Sequence, residues 1–158
     1  MNPSHAQHRR YMLEAIKEAE KASEKGEVPV GAVVVWNGRI VGRAHNQVEQ
    51  LKDATAHAEM IAITQASSAV GDWRLEDTEL YVTKEPCPMC AGAIVLSRVR
   101  RVFFGARDGK AGAAGSKIDI LNDSGLNHKV DVIAGIEEAR CVELLRTFFH
   151  GRRKPGGE

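Results

Sequence analysis

Two short stretches carry the reactive side chains, Thr55-Ala56-His57-Ala58-Glu59 and Glu85-Pro86-Cys87-Pro88-Met89-Cys90. His57, Cys87 and Cys90 are one imidazole and two thiols, a donor set that suits zinc. Three protein ligands leave one coordination position open, which is how catalytic zinc sites differ from structural ones. Two thiolates also cancel most of a zinc ion's charge and weaken it as a Lewis acid, so the site calls for a carboxylate close by. Glu59, two residues after the histidine, is the candidate acid/base. A redox dithiol would account for Cys87 and Cys90 but for neither His57 nor Glu59. A structural zinc would need a fourth ligand from His45, His128 or Cys141, none of which has the local spacing of a second ligand pair.

The elements that must hold these residues can be read on either side of them. Apolar residues at three- and four-residue steps (Met12, Ala15, Ile16, Ala19, Ala22) predict an amphipathic helix over 4–25, ended by Gly26. The β-branched run 32–36 and its return 39–43 flank Asn37-Gly38, a strong hairpin signal. His57 is expected at the start of a helix running to about Ser68. A strand over 78–83 follows, then a helix over 87–97 in whose first turn Cys87 and Cys90 point to one side. There the helix dipole favours thiolate over thiol. Strands over 99–105 and 129–134 and a helix from 136 to about 153 complete the chain, the last burying Ile136, Ala139, Val142, Leu145 and Phe149. The glycine-rich loop 105–116 is long enough to be functional. This order predicts a three-layer α/β/α sandwich with a mixed sheet, two helix starts meeting at the strand ends to hold the metal.

With 158 residues, 43% of them hydrophobic, the chain suits one domain over 1–158. It has no apolar run of membrane-spanning length, and its polar N-terminus has no signal-peptide core, so it is expected in the cytoplasm. Three cysteines argue against a disulfide framework. The net charge of +1 conceals an asymmetry: residues 1–97 carry 10 basic and 13 acidic side chains, residues 98–158 carry 12 and 8. The basic groups between Arg98 and Lys117, and a C-terminal arm with Arg152, Arg153 and Lys154, would let an almost neutral protein present a basic face to a polyanion.

Joined together, these stretches resemble the bacterial tRNA-specific adenosine deaminases of the TadA type. H-x-E…P-C-x-x-C is the signature of zinc nucleobase deaminases, and Gly105-Ala106-Arg107-Asp108, Gly112-Ala113-Ala114-Gly115-Ser116 and Asn127-His128 also match. The resemblance implies a cytidine-deaminase-like fold and a homodimer that converts the wobble adenosine of an arginine tRNA anticodon to inosine. It implies one Zn2+ per chain on His57, Cys87 and Cys90, with Glu59 as proton shuttle. Asn46 and Ala58 would contact the flipped nucleotide, while Arg107, Asp108, Lys110, Phe149, Arg152 and Arg153 would meet the anticodon stem-loop. Two departures bear on pocket shape: Ala54 stands where a proline is common, and Lys84 where an apolar residue is common. A deaminase of free guanine or cytidine would keep the zinc motifs without needing the basic segments. An inactive RNA-binding partner subunit could dispense with Glu59.

Overall fold

The computed structural model describes residues 5–123 and 125–152. The helix α1 (His5–Glu24) leads into the hairpin β1 (Gly31–Trp36) and β2 (Arg39–His45), followed by the short α2 (Val48–Leu51) and by α3 (Ala58–Val70). Next come β3 (Thr78–Lys84), α4 (Pro88–Leu96), β4 (Arg101–Ala106), β5 (Asp131–Ala134) and α5 (Glu138–Arg152). The hairpin turns where the sequence predicts, with Asn37 and Gly38 both at positive φ (52° and 73°), as a tight two-residue turn demands. Among the described residues, the helix without a counterpart in the sequence reading is α2, a single turn in the connection between β2 and α3.

The five strands form one mixed sheet in the order β2-β1-β3-β4-β5. β1 runs antiparallel to both β2 and β3, while β3, β4 and β5 are parallel. Because alternate side chains leave a strand on opposite faces, each central strand feeds two cores. Ala32, Val34, Leu80, Val82, Val102 and Phe104 pack with α3 and α4 residues such as Ala62, Ala66, Ile94 and Val95. Val33, Val35, Tyr81 and Phe103 pack on the other face with Tyr11, Met12, Ile16 and Cys141 of α1 and α5. The expected three layers follow from this alternation. The inner residues of α3 are small (Ala58, Ala62, Ala66), so its backbone lies against β2 so closely that a Cβ on Gly42 would collide with the Ala62 carbonyl.

Two expectations need correction. α5 begins at Glu138, and its buried face is centred on Cys141, with Val142, Leu144 and Leu145 packed beside it. Ala139, two residues from Cys141 and so on the opposite side of a 3.6-residue helix, is exposed. Phe149 is 42% exposed. The basic residues between 98 and 117 also do not form one face. Arg98 and Arg100 precede β4 whereas Arg107 and Lys110 follow it, and the strand separates the two groups by roughly 20 Å. Arg101 is committed to Glu79 at 2.9 Å. Arg153 and Lys154, and the side chain of Arg152, lie outside the described residues.

Candidate metal and active site

His57 and Cys87 occupy the N-cap positions of α3 and α4, both with extended backbone (φ −77° and −75°). Neither side chain caps its helix. Pro88 occupies the first turn of α4, where its missing N–H leaves nothing unsatisfied, and Cys90 follows in the same turn. The two helix starts thereby face each other at the C-terminal end of β3. His57 Nδ1 lies 3.5 Å from Cys87 Sγ and 3.5 Å from Cys90 Sγ.

That spacing suits a tetrahedral ion. Zn–S bonds of about 2.3 Å and Zn–N bonds of about 2.0–2.1 Å, opened to a tetrahedral angle, place nitrogen and sulfur roughly 3.5 Å apart. Among the described residues, these three are the group of potential ligands whose donor atoms converge, all within 4.8 Å. The other candidates are engaged elsewhere. His45 Nδ1 faces Glu18 at 3.3 Å, His128 Nε2 meets the Val99 carbonyl at 2.8 Å, and Cys141 is buried in the α5 core.

Charge within the site is distributed unevenly. A hydrogen bond from Cys90 pulls the Cys87 thiol down to about 4, against the opposing effect of burial and with help from His57. The same bond, together with burial, pushes Cys90 strongly up, and His57 is raised chiefly by its contact with Cys87. A divalent cation between them would hold both sulfurs as thiolates. Glu59 is buried at 3% exposure. Desolvation pushes its carboxyl up to about 7, opposed by a backbone hydrogen bond and by His57.

His57, Glu59 and Cys87 open onto a cavity of about 240 Å³ that Asn46, Ala58, Lys84 and Asp108 also line. Asn46 is 8% exposed; its Nδ2 donates weakly to the Val28 carbonyl at 3.5 Å, and its buried Oδ1 has no hydrogen-bond partner. A buried acceptor left unpaired is costly unless a ligand supplies the donor. Arg107 and Lys110 are exposed on the loop that follows β4. Phe149 is not among the residues lining the cavity.

Two residues of the cavity wall, Glu27 and Glu85, escaped the sequence reading, and Lys84, which stood out there only as a departure bearing on pocket shape, acquires a partner. Buried Glu27 accepts the Glu49 and Gln50 N–H groups at 3.0 and 2.7 Å and so fixes the first turn of α2. Lys84 pairs with the Asp108 carboxylate at 3.2 Å, which gives its polar side chain a purpose in a wall expected to be apolar. Glu85 is tied to the loop after β4. An acidic residue directly before Pro-Cys was the available signal, but its partners lie 23 to 31 residues away.

The mixed sheet and the His/Cys/Cys triangle beside a buried glutamate define a class, and the comparisons give the same one. Residues 5–106 match the family described as the cytidine and deoxycytidylate deaminase zinc-binding region. The tRNA-specific adenosine deaminase of Bacillus subtilis (strain 168) is 55% identical over 144 residues, which is 91% of this chain and 89% of that protein. A solved structure from a study of A-to-I editing by tRNA:A34 deaminases at the wobble position superposes with a TM-score of 0.83 at 43% identity, covering 86% of this chain and 99% of that one. A guanine deaminase structure from Bacillus subtilis is more distant, with a TM-score of 0.62 at 38% identity over 73% of this chain and 71% of its own. The chain belongs to the zinc-dependent cytidine-deaminase-like family, in the branch of the tRNA-specific adenosine deaminases.

Proposed function

We propose that this protein deaminates adenosine to inosine at the wobble position of a tRNA anticodon, that of an arginine tRNA, and releases ammonia. The observation that carries the reading is the placement of buried Glu59, the His57–Cys87–Cys90 triangle and the unpaired Asn46 acceptor around one cavity. Zinc held by the triangle would supply the Lewis acidity that activates water for attack on the amine-bearing carbon. Glu59 accepts one proton from water and passes it to a ring nitrogen, then takes the second from the added hydroxyl as the carbonyl forms and delivers it to the amine, which departs as ammonia. Burial raises this carboxyl above the ordinary carboxylate range, which makes it a better proton acceptor than a solvated carboxylate. Asn46 Oδ1 accepts from the base and Ala58 closes the wall beside it. The base enters flipped out, which an unpaired loop permits at low energetic cost.

Arg107 and Lys110 are exposed next to the cavity that Asp108 lines, where the anticodon stem-loop would lie. Phe149 is accessible for stacking, and Arg152 and Arg153 would add phosphate contacts. The exposed basic loop favours RNA over free guanine or cytidine, which would need no such surface. A homodimer is supported by α4, an apolar segment (Pro88–Leu96) without a charged residue, whose Leu96 is 74% exposed. The chain acts as one deaminase domain in the cytoplasm, in keeping with a tRNA substrate; no helix among the described residues is long and apolar enough to cross a membrane.

Inosine and ammonia are measured with an anticodon stem-loop RNA carrying wobble adenosine, beside free adenosine, cytidine and guanine. The stem-loop should be the preferred substrate by a wide margin. Faster turnover of guanine or cytidine would replace the reading with a free-base or nucleoside deaminase. No turnover of any substrate by zinc-loaded protein would favour an inactive subunit.

A further inference from the structure

Glu85 stands between the zinc ligands and the loop over the cavity, and its carboxylate is spoken for. It is 2% exposed. Oε1 accepts the Asp108 N–H at 3.0 Å and the Ser116 hydroxyl, and Oε2 accepts the Ala114 and Ser116 N–H groups at 3.0 Å each. Four donors fill the acceptor capacity of a carboxylate, so nothing remains for a substrate or a metal ion. The loop closes on it tightly enough that a Cβ on Gly112 would collide with the Glu85 carboxyl carbon. Backbone bonds extend the attachment: Glu85 N–H donates to the Ala106 carbonyl and Ala113 N–H to the Pro86 carbonyl, both at 2.8 Å. The neighbouring Lys84 holds the Asp108 side chain at 3.2 Å.

We propose that Glu85 is the positioning residue of the RNA-binding surface: its caged carboxylate fixes loop 107–118 to the strand end that carries Cys87, so that Arg107 and Lys110 meet the anticodon loop in register with the base held at the metal. The proposal rests on the stem-loop reading above. One residue, Pro86, separates Glu85 from Cys87, and the loop Glu85 holds presents the basic side chains. A displaced loop therefore carries Arg107 and Lys110 off the phosphates they would meet, which weakens binding of the stem-loop while the metal and Glu59 stay in place. Hydrogen bonds to a buried charge are also stronger than neutral ones, which makes the carboxylate a stiffer mount than an amide.

The test uses full-length, zinc-loaded protein and an anticodon stem-loop RNA with wobble adenosine. Glu85→Gln replaces one acceptor oxygen by an NH2 group that faces backbone N–H donors. It should keep its zinc, raise KM for the stem-loop by about tenfold or more, and change kcat far less. Loss of ordered phosphate contacts by Arg107 and Lys110 should flatten the slope of log affinity against log salt by about 1.4, at roughly 0.7 per phosphate. Adding Arg107→Ala and Lys110→Ala should then cost little in the Glu85→Gln background although it costs affinity in wild type. Ser116→Ala, which removes one side-chain donor, should shift KM and slope in the same direction by less, and it carries the test if Glu85→Gln does not fold. A purely stabilising Glu85 would lower Tm while KM, salt slope and additivity stayed as in wild type, and that result overturns the proposal. So does zinc loss from Glu85→Gln, which would move Glu85 into the metal site. Failure of the wild type itself to act on the stem-loop would overturn the functional reading instead.

Discussion

The side chains of His57 and Cys87, the N-cap residues of α3 and α4, meet with Nδ1 and Sγ 3.5 Å apart. Ser, Thr, Asp or Asn at such a position typically contributes about 1 kcal/mol by bonding the first-turn N–H groups. Here two helices forgo that bond, and both side chains turn to each other and to Cys90. The positive ends of two helices beside two sulfurs favour thiolates and prepare the triangle for a cation.

His57→Ala should therefore lose zinc, while Glu59→Ala should keep about one zinc per chain. Glu59→Ala should lose deamination by at least about 100-fold, the lower range for a positioned acid/base. Metal analysis of the purified variants beside an inosine assay checks both. Zinc loss from Glu59→Ala equal to that from His57→Ala would make Glu59 a ligand and end its assignment as proton carrier.

Asn46→Ala removes the unpaired acceptor of the cavity wall. A hydrogen bond from the base to Oδ1 would be worth about 0.5–1.5 kcal/mol, more if a donor is left buried and unpaired. kcat/KM on the stem-loop should fall by roughly three- to thirtyfold with zinc content unchanged. Unaltered kcat/KM would remove Asn46 from the substrate site.

The exposed face of α4 predicts that Leu96→Glu yields monomer. Leu96 is 74% exposed on a helix without a charged residue, and a carboxylate pressed into an apolar interface would be left without a partner. Sedimentation of wild type and variant measures the shift, and identical dimers in both would place the interface elsewhere.

Burial raises the Glu18 carboxyl, but hydrogen bonds from Lys21, His45 and Arg43 outweigh it and leave the group below its ordinary 4.5. Glu14 shares Arg43 and is depressed in the same way, first by Lys17. A depressed carboxyl stabilises the fold above its unfolded pKa, and that stabilisation is lost as pH falls through the lower folded value. Glu18→Gln should thus lower Tm at pH 7 by an amount equivalent to about 1–2 kcal/mol, given that Lys21 is half exposed. Below about pH 4.5 the Tm of wild type should fall more steeply than that of the variant. Parallel acid melting curves for the two would show that Glu18 contributes no such linkage.

Alanine at Arg152, Arg153 and Lys154 together should weaken stem-loop binding and flatten its salt slope by up to about 2, at roughly 0.7 per phosphate. Zinc content should stay at the wild-type level. Equal affinity and slope in the triple variant would leave RNA binding to Arg107, Lys110 and Phe149.

What the sequence determined about this protein is whatever short spacing governs. Asn37-Gly38 dictated its turn because only that backbone closes a two-residue hairpin. The donor set was legible because zinc chemistry restricts ligands to a few residue types, and a helix start restricts Cys87 and Cys90 to one side. The apolar periods of 2 and 3.6 residues gave the layers, since each core residue announces its face.

Tertiary structure decided the relations that depend on which pole of the sheet a residue reaches. Arg100 and Arg107 look like one basic cluster in sequence, yet an extended strand lies between them and sends them to opposite ends. The buried face of α5 followed from contact with Gly105, where only the Cys141 side chain packs closely enough to exclude a Cβ, and this left Phe149 at the surface. Glu85 looked like an ordinary residue at the end of a strand, and Lys84 stood out there only as a polar side chain in a pocket wall. Their partners, Asp108, Ala114 and Ser116, return to them only because β4 runs parallel to β3 and ends at the same edge. A carboxylate acquires its role from the donors that surround it, and here those donors are brought by the sheet rather than by neighbours in the chain.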